Sequence, residues 1–354
     1  KDNHIDDDGA VVLATGLTGN GSLKDLTISG VRSLFSSFQR LNSALENINL
    51  TNNGFQNEEI FLLSNMLTTN SSLKSINLSR NSRVTRVGWD ALFSVLQNPD
   101  CALEELFLSD NQFDQETINN LTNALANNTK LRKLDLVAPE LSIGFYGWEV
   151  FPTVLQSPVS ALEELHLGGD FITNATITSL ANSLVSNIKL KKMVIHLSSF
   201  TAGCTSAFTQ ILCNTSSIME TYQSNHTLQE LIVSSWRSEL GRRTSIGLVD
   251  ERVCSLLQLN QENSNTQAAR LKIIKSHFRE GFTVPLFLDM ELKVLHHAIS
   301  WMGRDSNSHQ LHQHFHQFLR SMPILFNSEL KNKMRKESLL VHAAGNKRKR
   351  KMGN

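Results

Sequence analysis

Residues 103–111 read LEELFLSDN, and residues 162–170 read LEELHLGGD. Both carry leucine at the first, fourth and sixth places of the pattern L-x-x-L-x-L. With Ile, Met or Val admitted at the later places, the same pattern starts at Leu23, Leu45, Leu73, Leu103, Leu131, Leu162, Leu190 and Leu228. Successive starts lie 22, 28, 30, 28, 31, 28 and 38 residues apart. In an extended strand alternate side chains point to opposite sides. The fourth and sixth places therefore face a core, and the third, fifth and seventh face away from it. One such strand cannot bury its apolar side alone; stacked neighbours can.

A longer period lies over the short one. Leu45 to Leu103 and Leu73 to Leu131 are 58 residues, while Leu103 to Leu162 and Leu131 to Leu190 are 59. Two kinds of unit alternate. One carries a stretch such as ETINNLTNALANNTKL, and the other carries GWDALFSVLQNPD or GWEVFPTVLQSPV. Ile60, Leu63 and Leu67, and likewise Ile118, Leu121 and Leu125, have the spacing of one helical face. Asn98-Pro99 and Ser157-Pro158 stop the GW-type helices, because proline cannot continue them. Trp89 and Trp148 recur 59 residues apart at matched places, which makes them structural rather than binding residues. The opening stretch IDDDGAVVLATGLTGNGSLKDL has the form of the first kind of unit. The chain starts with Lys1 in the middle of a repeat and is read as a fragment or an incomplete gene model.

The alternating strand–helix units resemble the ribonuclease-inhibitor-like class of leucine-rich repeats over about residues 5–236. The resemblance implies an α/β fold: a right-handed solenoid, or horseshoe, with parallel strands on the concave face and helices on the convex face. It also implies a protein partner on the concave face. Asn53, Asn81 and Asn111 stand at the motif's ninth place. There the family's Asn or Cys bonds loop backbone between repeats, satisfying groups that would otherwise be orphaned. Val31, Pro139, Asp170, Ser198 and Trp236 stand at the equivalent places elsewhere, so the ladder is expected only in the middle of the array. Segments 256–278, 289–305 and 317–326 resemble the C-terminal region of leucine-rich-repeat proteins predicted from diatoms.

The third, fifth and seventh places give the expected concave surface. Its first half is polar and mostly neutral, as in Asn47, Asn49 and Thr51. The second half mixes charge with apolar groups: Glu105, Phe107, Lys133, Asp135, Val137, Glu164, His166, Lys192, Val194, His196, Glu230 and Ile232, ending near Trp236. Interface cores favour aromatic and aliphatic anchors ringed by polar groups. The second half is therefore the expected partner-binding face, with Phe107, Val137, Val194 and Ile232 exposed. Its few Lys and Arg residues argue against nucleic acid as its ligand.

The net charge of +1 hides a segregation. Residues 331–354 hold nine Lys/Arg and one Glu, +8, so residues 1–330 sum to +1 − 8 = −7. The expected organisation is a solenoid over 1–240, a helical C-terminal cap over 250–327 and a basic, disordered tail over 328–354. The run Lys347, Arg348, Lys349, Arg350 and Lys351 is a candidate nuclear-import signal that would touch nucleic acid only non-specifically. His309, His312 and His316 share a helical face, but no Cys or carboxylate cluster completes a metal site, and they read as solvated histidines.

Four cysteines without CxxC spacing, Cys101, Cys204, Cys213 and Cys254, read as buried free thiols. Nine N-x-S/T triplets pull towards secretion, but an Asn-, Ser- and Thr-rich chain makes such triplets by chance. The reading is intracellular, cytoplasmic or nuclear. No stretch has the apolar length of a membrane helix. GxGxxG, P-loop, GxSxG and HExxH motifs are absent, so neither catalysis nor a cofactor is expected. The expected function is a non-catalytic interaction or scaffold protein without a small-molecule substrate. The alternative is a regulator of a partner enzyme, such as a GTPase-activating protein of the Ran type.

Overall fold

The computed structural model describes residues 12, 15–16, 20–28, 44–137, 147–169, 172–197, 203–239, 242–247 and 250–278. Val31, Pro139, Asp170 and Ser198, the His309–His316 cluster, the later cap helices and the basic run all lie outside them.

All eight motifs become strands: β1 (Asp25–Thr27), β2 (Asn47–Asn49), β3 (Ser75–Asn77), β4 (Glu105–Phe107), β5 (Lys133–Val137), β6 (Glu164–Gly169), β7 (Lys192–Leu197) and β8 (Glu230–Glu239). They pair in parallel, in sequence order and in matching register, so that Asp135 lies beside His166, which lies beside Val194. A ninth strand, β9 (Arg242–Gly247), pairs antiparallel with β8, and the sheet does not close. No motif marks β9 in the sequence, and it closes the parallel series with an antiparallel hairpin.

Between strands run α1 (Asn57–Leu67), α2 (Arg86–Leu96), α3 (Gln115–Ala126), α4 (Phe151–Gln156, preceded by a 3-10 turn at Gly147–Val150) and α5 (Asn174–Ser183). Their starts are written in short polar side chains. Asp114 accepts from Thr117 N at 2.7 Å, and Thr173 accepts from Thr176 N at 3.2 Å, each satisfying an orphan donor of the first turn. Ile60, Leu63 and Leu67 pack inward with Ile118, Leu121 and Leu125, none more than 3 % exposed. Trp89 is fully buried against Phe93 and Phe113, and Trp148 is buried against Phe151, as their recurrence implied.

The glycine before Trp89 has a steric reason. A Cβ at Gly88 would lie 2.7 Å from Asn57 Oδ1 and 2.9 Å from Val84 Cγ1. Asn57 Oδ1 accepts from the Thr85 backbone N at 2.9 Å, so it ties the start of α2 to α1. Gly88→Ala is therefore expected to push Asn57 off this bond and cost about 1–3 kcal/mol. Urea denaturation checks it, and an unchanged midpoint would refute the packing argument.

The chain forms two compact units, residues 1–208 with 227–257, and residues 209–226 with 258–354. The second unit includes α7 (Ile218–Gln223) and α9 (Asn265–Ile273); α6 (Gly203–Leu212) and α8 (Glu251–Glu262) run across the boundaries. Cys101 and Cys213 are buried thiols, as expected; Cys254, in α8, is exposed, contrary to that expectation.

Candidate functional site: the open face of the sheet

Each repeat leaves its strand through a tight turn. Asn52, Arg80 and Asp110, at the motif's eighth place, take φ near +60° (58°, 62° and 57°), a left-handed conformation that non-glycine residues adopt at a cost. The asparagine that follows each repays this strain. Asn81 Oδ1 accepts from the backbone N of Asn53 (3.1 Å) and Phe55 (3.2 Å), while its Nδ2 donates to the carbonyls of Leu50 (3.1 Å) and Leu78 (2.9 Å). Asn111 Oδ1 accepts from Asn81 N at 2.7 Å, and its Nδ2 donates to Leu78 O and Leu108 O. The ladder at Asn53, Asn81 and Asn111 is present as the sequence implied.

A second asparagine device was not read from the sequence. Asn128 Oδ1 accepts from the backbone of Lys130 and Leu131, and its Nδ2 donates to Leu96 O of the repeat before. Asn187 repeats this with Lys189, Leu190 and Leu155 O. Asn20 and Asn70 make the same turn into their motif leucines. The signal was available: Asn stands three residues before Leu23, Leu73, Leu131, Leu190 and Leu228. Several of the N-x-S/T triplets belong to this turn or to the face, so their recurrence has a structural cause.

The two strand edges nearest the turn carry charge that alternates along the array. At the motif's second place stand Lys24, Glu46, Lys74, Glu104, Arg132, Glu163 and Lys191 in order. Glu46 pairs with Lys24 (2.8 Å) and Lys74 (3.5 Å), and Glu163 with Arg132 (3.0 Å) and Lys191 (2.7 Å). At the third place Glu164 lies between Lys133 (3.1 Å) and Lys192 (3.5 Å), and Lys192 reaches Glu230 (3.4 Å). The 58–59-residue period is what alternates the sign. Such exposed pairs add little stability; they disfavour any stacking that sets like charges side by side.

These pairs engage the charged members of the expected binding face with one another. Glu105 accepts from Ser75 Oγ at 3.0 Å, and Lys133 Nζ stands 5.3 Å from the Phe107 ring centroid. Deeper on the face, at the fifth place, His166 stands between two carboxylates. Its Nε2 is 2.7 Å from Glu164 Oε1, and its Nδ1 is 3.5 Å from Asp135 Oδ2. Asp135 also accepts from the Ser109 hydroxyl. Burial opposes charge on Asp135, yet hydrogen bonds from His166 and Ser109 hold its carboxyl below the usual range. Burial likewise opposes charge on Glu164, and hydrogen bonds from Lys133 and His166 win. His196 is pushed down by burial and by repulsion from His166; its Nδ1 meets Ser234 Oγ at 2.5 Å.

Gly168 makes room between them. A Cβ there would lie 2.9 Å from both His196 Cβ and Val137 Cγ1, so these two side chains lean over the glycine. Ile232 is 37 % exposed, and Phe107 and Val137 are partly exposed. Val194 departs from expectation: it faces outward but is only 5 % exposed, a short side chain between His166 and Ile232 on neighbouring strands. Trp236 lies in β8, opposite Ser245 of β9. Among the described residues no three His, Cys, Asp or Glu side chains group so as to hold a metal ion. None of their helices is long and apolar enough to cross a membrane.

No family model matches the sequence. Over 171 residues it is 32 % identical to NACHT, LRR and PYD domains-containing protein 14 of Mus musculus, covering 48 % of this chain and 17 % of that protein. Over 192 residues it is 30 % identical to NACHT, LRR and PYD domains-containing protein 5 of the same species, covering 52 % and 16 %. The chain thus spans about a sixth of the length of these relatives. Among solved structures it is similar to a chain of the Rad7 and Elc1 complex in yeast, with 15 % identity, TM-score 0.40, and 76 % of this chain and 74 % of that chain covered. It is also similar to the leiomodin-1 actin-binding site 2, with 20 % identity, TM-score 0.31, and coverage of 38 % and 80 %. The relatives and the eight strand-forming motifs agree on leucine-rich-repeat character.

Proposed function

We propose that this chain is a non-catalytic protein-binding solenoid whose partner docks on the open face of β4–β8. One observation carries the reading. Across that face, apolar Phe107, Val137 and Ile232 and two histidines stand among lysines already paired to glutamates. A partner can cover such a face without stripping water from unpaired lysines, which favours docking. The ribonuclease-inhibitor-like type belongs to the same reading, supported by the strand–helix alternation and the 58–59-residue period. The intracellular location and the diatom-type C-terminal region remain part of the proposal, resting on the sequence alone.

The test compares affinity capture by the wild-type chain with capture by Phe107→Asp and Ile232→Asp. Both positions are partly exposed, so both variants are expected to fold, as circular dichroism would verify. Loss of the same captured protein in both, at least tenfold, is expected. Undiminished capture by both variants would place the binding surface elsewhere.

A further inference from the structure

The geometry points to the kind of partner: a segment that offers a cationic side chain, Arg or Lys, beside an aliphatic one, with the cation received by Asp135 and Glu164 beside His166. This rests on the docking reading above and goes further by naming the chemistry.

The charges of the face lead to it. On β4–β8 the third, fifth and seventh places hold four carboxylates (Glu105, Asp135, Glu164, Glu230) against two lysines (Lys133, Lys192), a sum of −2 with the histidines neutral. The lysines sit on the third-place row, where each is drawn to glutamates. Asp135 is set apart at the fifth place. Among the described residues no Lys or Arg lies within ion-pair distance of it; His166 stands at 3.5 Å, and His196 is near enough to feel its charge. Its carboxylate is thus a charge of the face that no Lys or Arg of the described residues neutralises.

His166 faces carboxylates at both ring nitrogens. A neutral imidazole has one N–H and one lone pair, so it can donate to only one of them. The other carboxylate then meets a lone pair, an unfavourable contact that an incoming ammonium or guanidinium relieves by donating to it. The remaining groups near His166 do not substitute for that cation. Lys133 and Lys192 are held by Glu164 and Glu230, and neighbouring His196 is pushed towards its neutral form. Beyond the nearly covered Val194, Ile232 is the exposed aliphatic group of the fifth-place row, the flank on which the partner's apolar side chain rests.

The experiment uses the full chain, immobilised at pH 7.5, and a randomised seven-residue peptide library displayed on phage. Enriched peptides are expected to pair Arg or Lys with an adjacent Leu, Ile or Val. One synthesised representative is then measured. Asp135→Asn should weaken its binding at least tenfold at pH 7.5. His166→Gln, which leaves both carboxylates in place, should keep the binding. Glu46→Gln, on the distant paired row, should leave it unchanged. Enrichment of acidic or uncharged peptides, no enrichment at all, or cationic peptides indifferent to Asp135→Asn would each overturn the inference. A protein captured in the earlier test that is lost with Ile232→Asp but indifferent to Asp135→Asn would leave the docking face standing and remove only the cation.

Discussion

Asn81→Ala is expected to destabilise the repeat unit by about 3–4 kcal/mol, among the largest effects of any single polar substitution in it. The side chain is fully buried and makes five hydrogen bonds to the backbone of two repeats. Each bond lost inside a protein costs about 1 kcal/mol, and more where a buried group is stranded. Leu78 O keeps Asn111 Nδ2 as a donor, so the loss falls short of five stranded groups. Asn81→Asp should be worse still. It keeps the acceptor oxygen but puts a carboxylate, with no donor protons, against two carbonyls at a site closed to water. Asn111→Ala removes a bond whose donor is the backbone of residue 81, so the two alanine variants should be coupled in a double-mutant cycle. Urea denaturation of the single and double variants measures both quantities. Full additivity, or a cost below 1 kcal/mol for Asn81→Ala, would mean that the ladder follows the turn geometry rather than holding it.

The contrast between the two asparagine devices shows what a sequence discloses. The ninth-place ladder was legible because three asparagines stand at one motif position, next to leucines that already announced a strand. The second device stands outside the motif, in the polar stretch between helix and strand. There Asn20, Asn70, Asn128 and Asn187 look like ordinary turn residues, and their spacing from the next leucine has to be counted to be seen. The strands and the core were legible for the reason that makes repeats stable, since each apolar place recurs with its neighbour above and below it. β9 was not, because a strand that pairs antiparallel at the end of a stack has no repeat to echo.

The open face was legible in membership and misread in state. Alternation places Glu105, Lys133, Glu164, Lys192 and Glu230 on it, as the strand register bears out. Which of those charges are engaged depends on how strands line up across 28 to 38 residues, something periodicity along the chain does not carry. Val194 shows the same limit. Its orientation follows from its position in the motif, whereas its burial follows from the length of the side chains on either side. The link from sequence to local structure is tight here, and the link from local structure to surface chemistry runs through packing.

The buried lysine of the second unit sets the last expectation: the stability of that unit should rise as pH is raised from 7 towards 10. Lys272, on α9, is 1 % exposed. Its Nζ donates to Leu212 O at 2.7 Å and to Asn225 O at 3.0 Å, and lies 3.2 Å from His226 Nδ1. Leu212 ends α6, where the carbonyl end of a helix favours a cation. Burial nevertheless dominates and pushes the Lys272 amine down to about 7. Burial, with the positive charge of Lys272, pushes the His226 imidazole down to about 4. Between pH 7 and 10.5 the unfolded chain binds a proton at this lysine that the folded chain has shed. Stability must then increase with pH in that window, fully present above the unfolded value and lost as pH falls through 7. The size is on the order of 4–5 kcal/mol. His226 adds a second loss as pH falls from about 6.5 towards 4. Urea denaturation at pH 6.5, 8 and 9.5 reads the slope, and a ¹³Cε shift titration of Lys272 reads the proton itself. Lys272→Met, similar in length and without a charge, should flatten the slope between pH 7 and 9.5. A wild-type stability that falls over that interval, or a Lys272 that titrates near 10.5, would show that its two carbonyl partners outweigh burial.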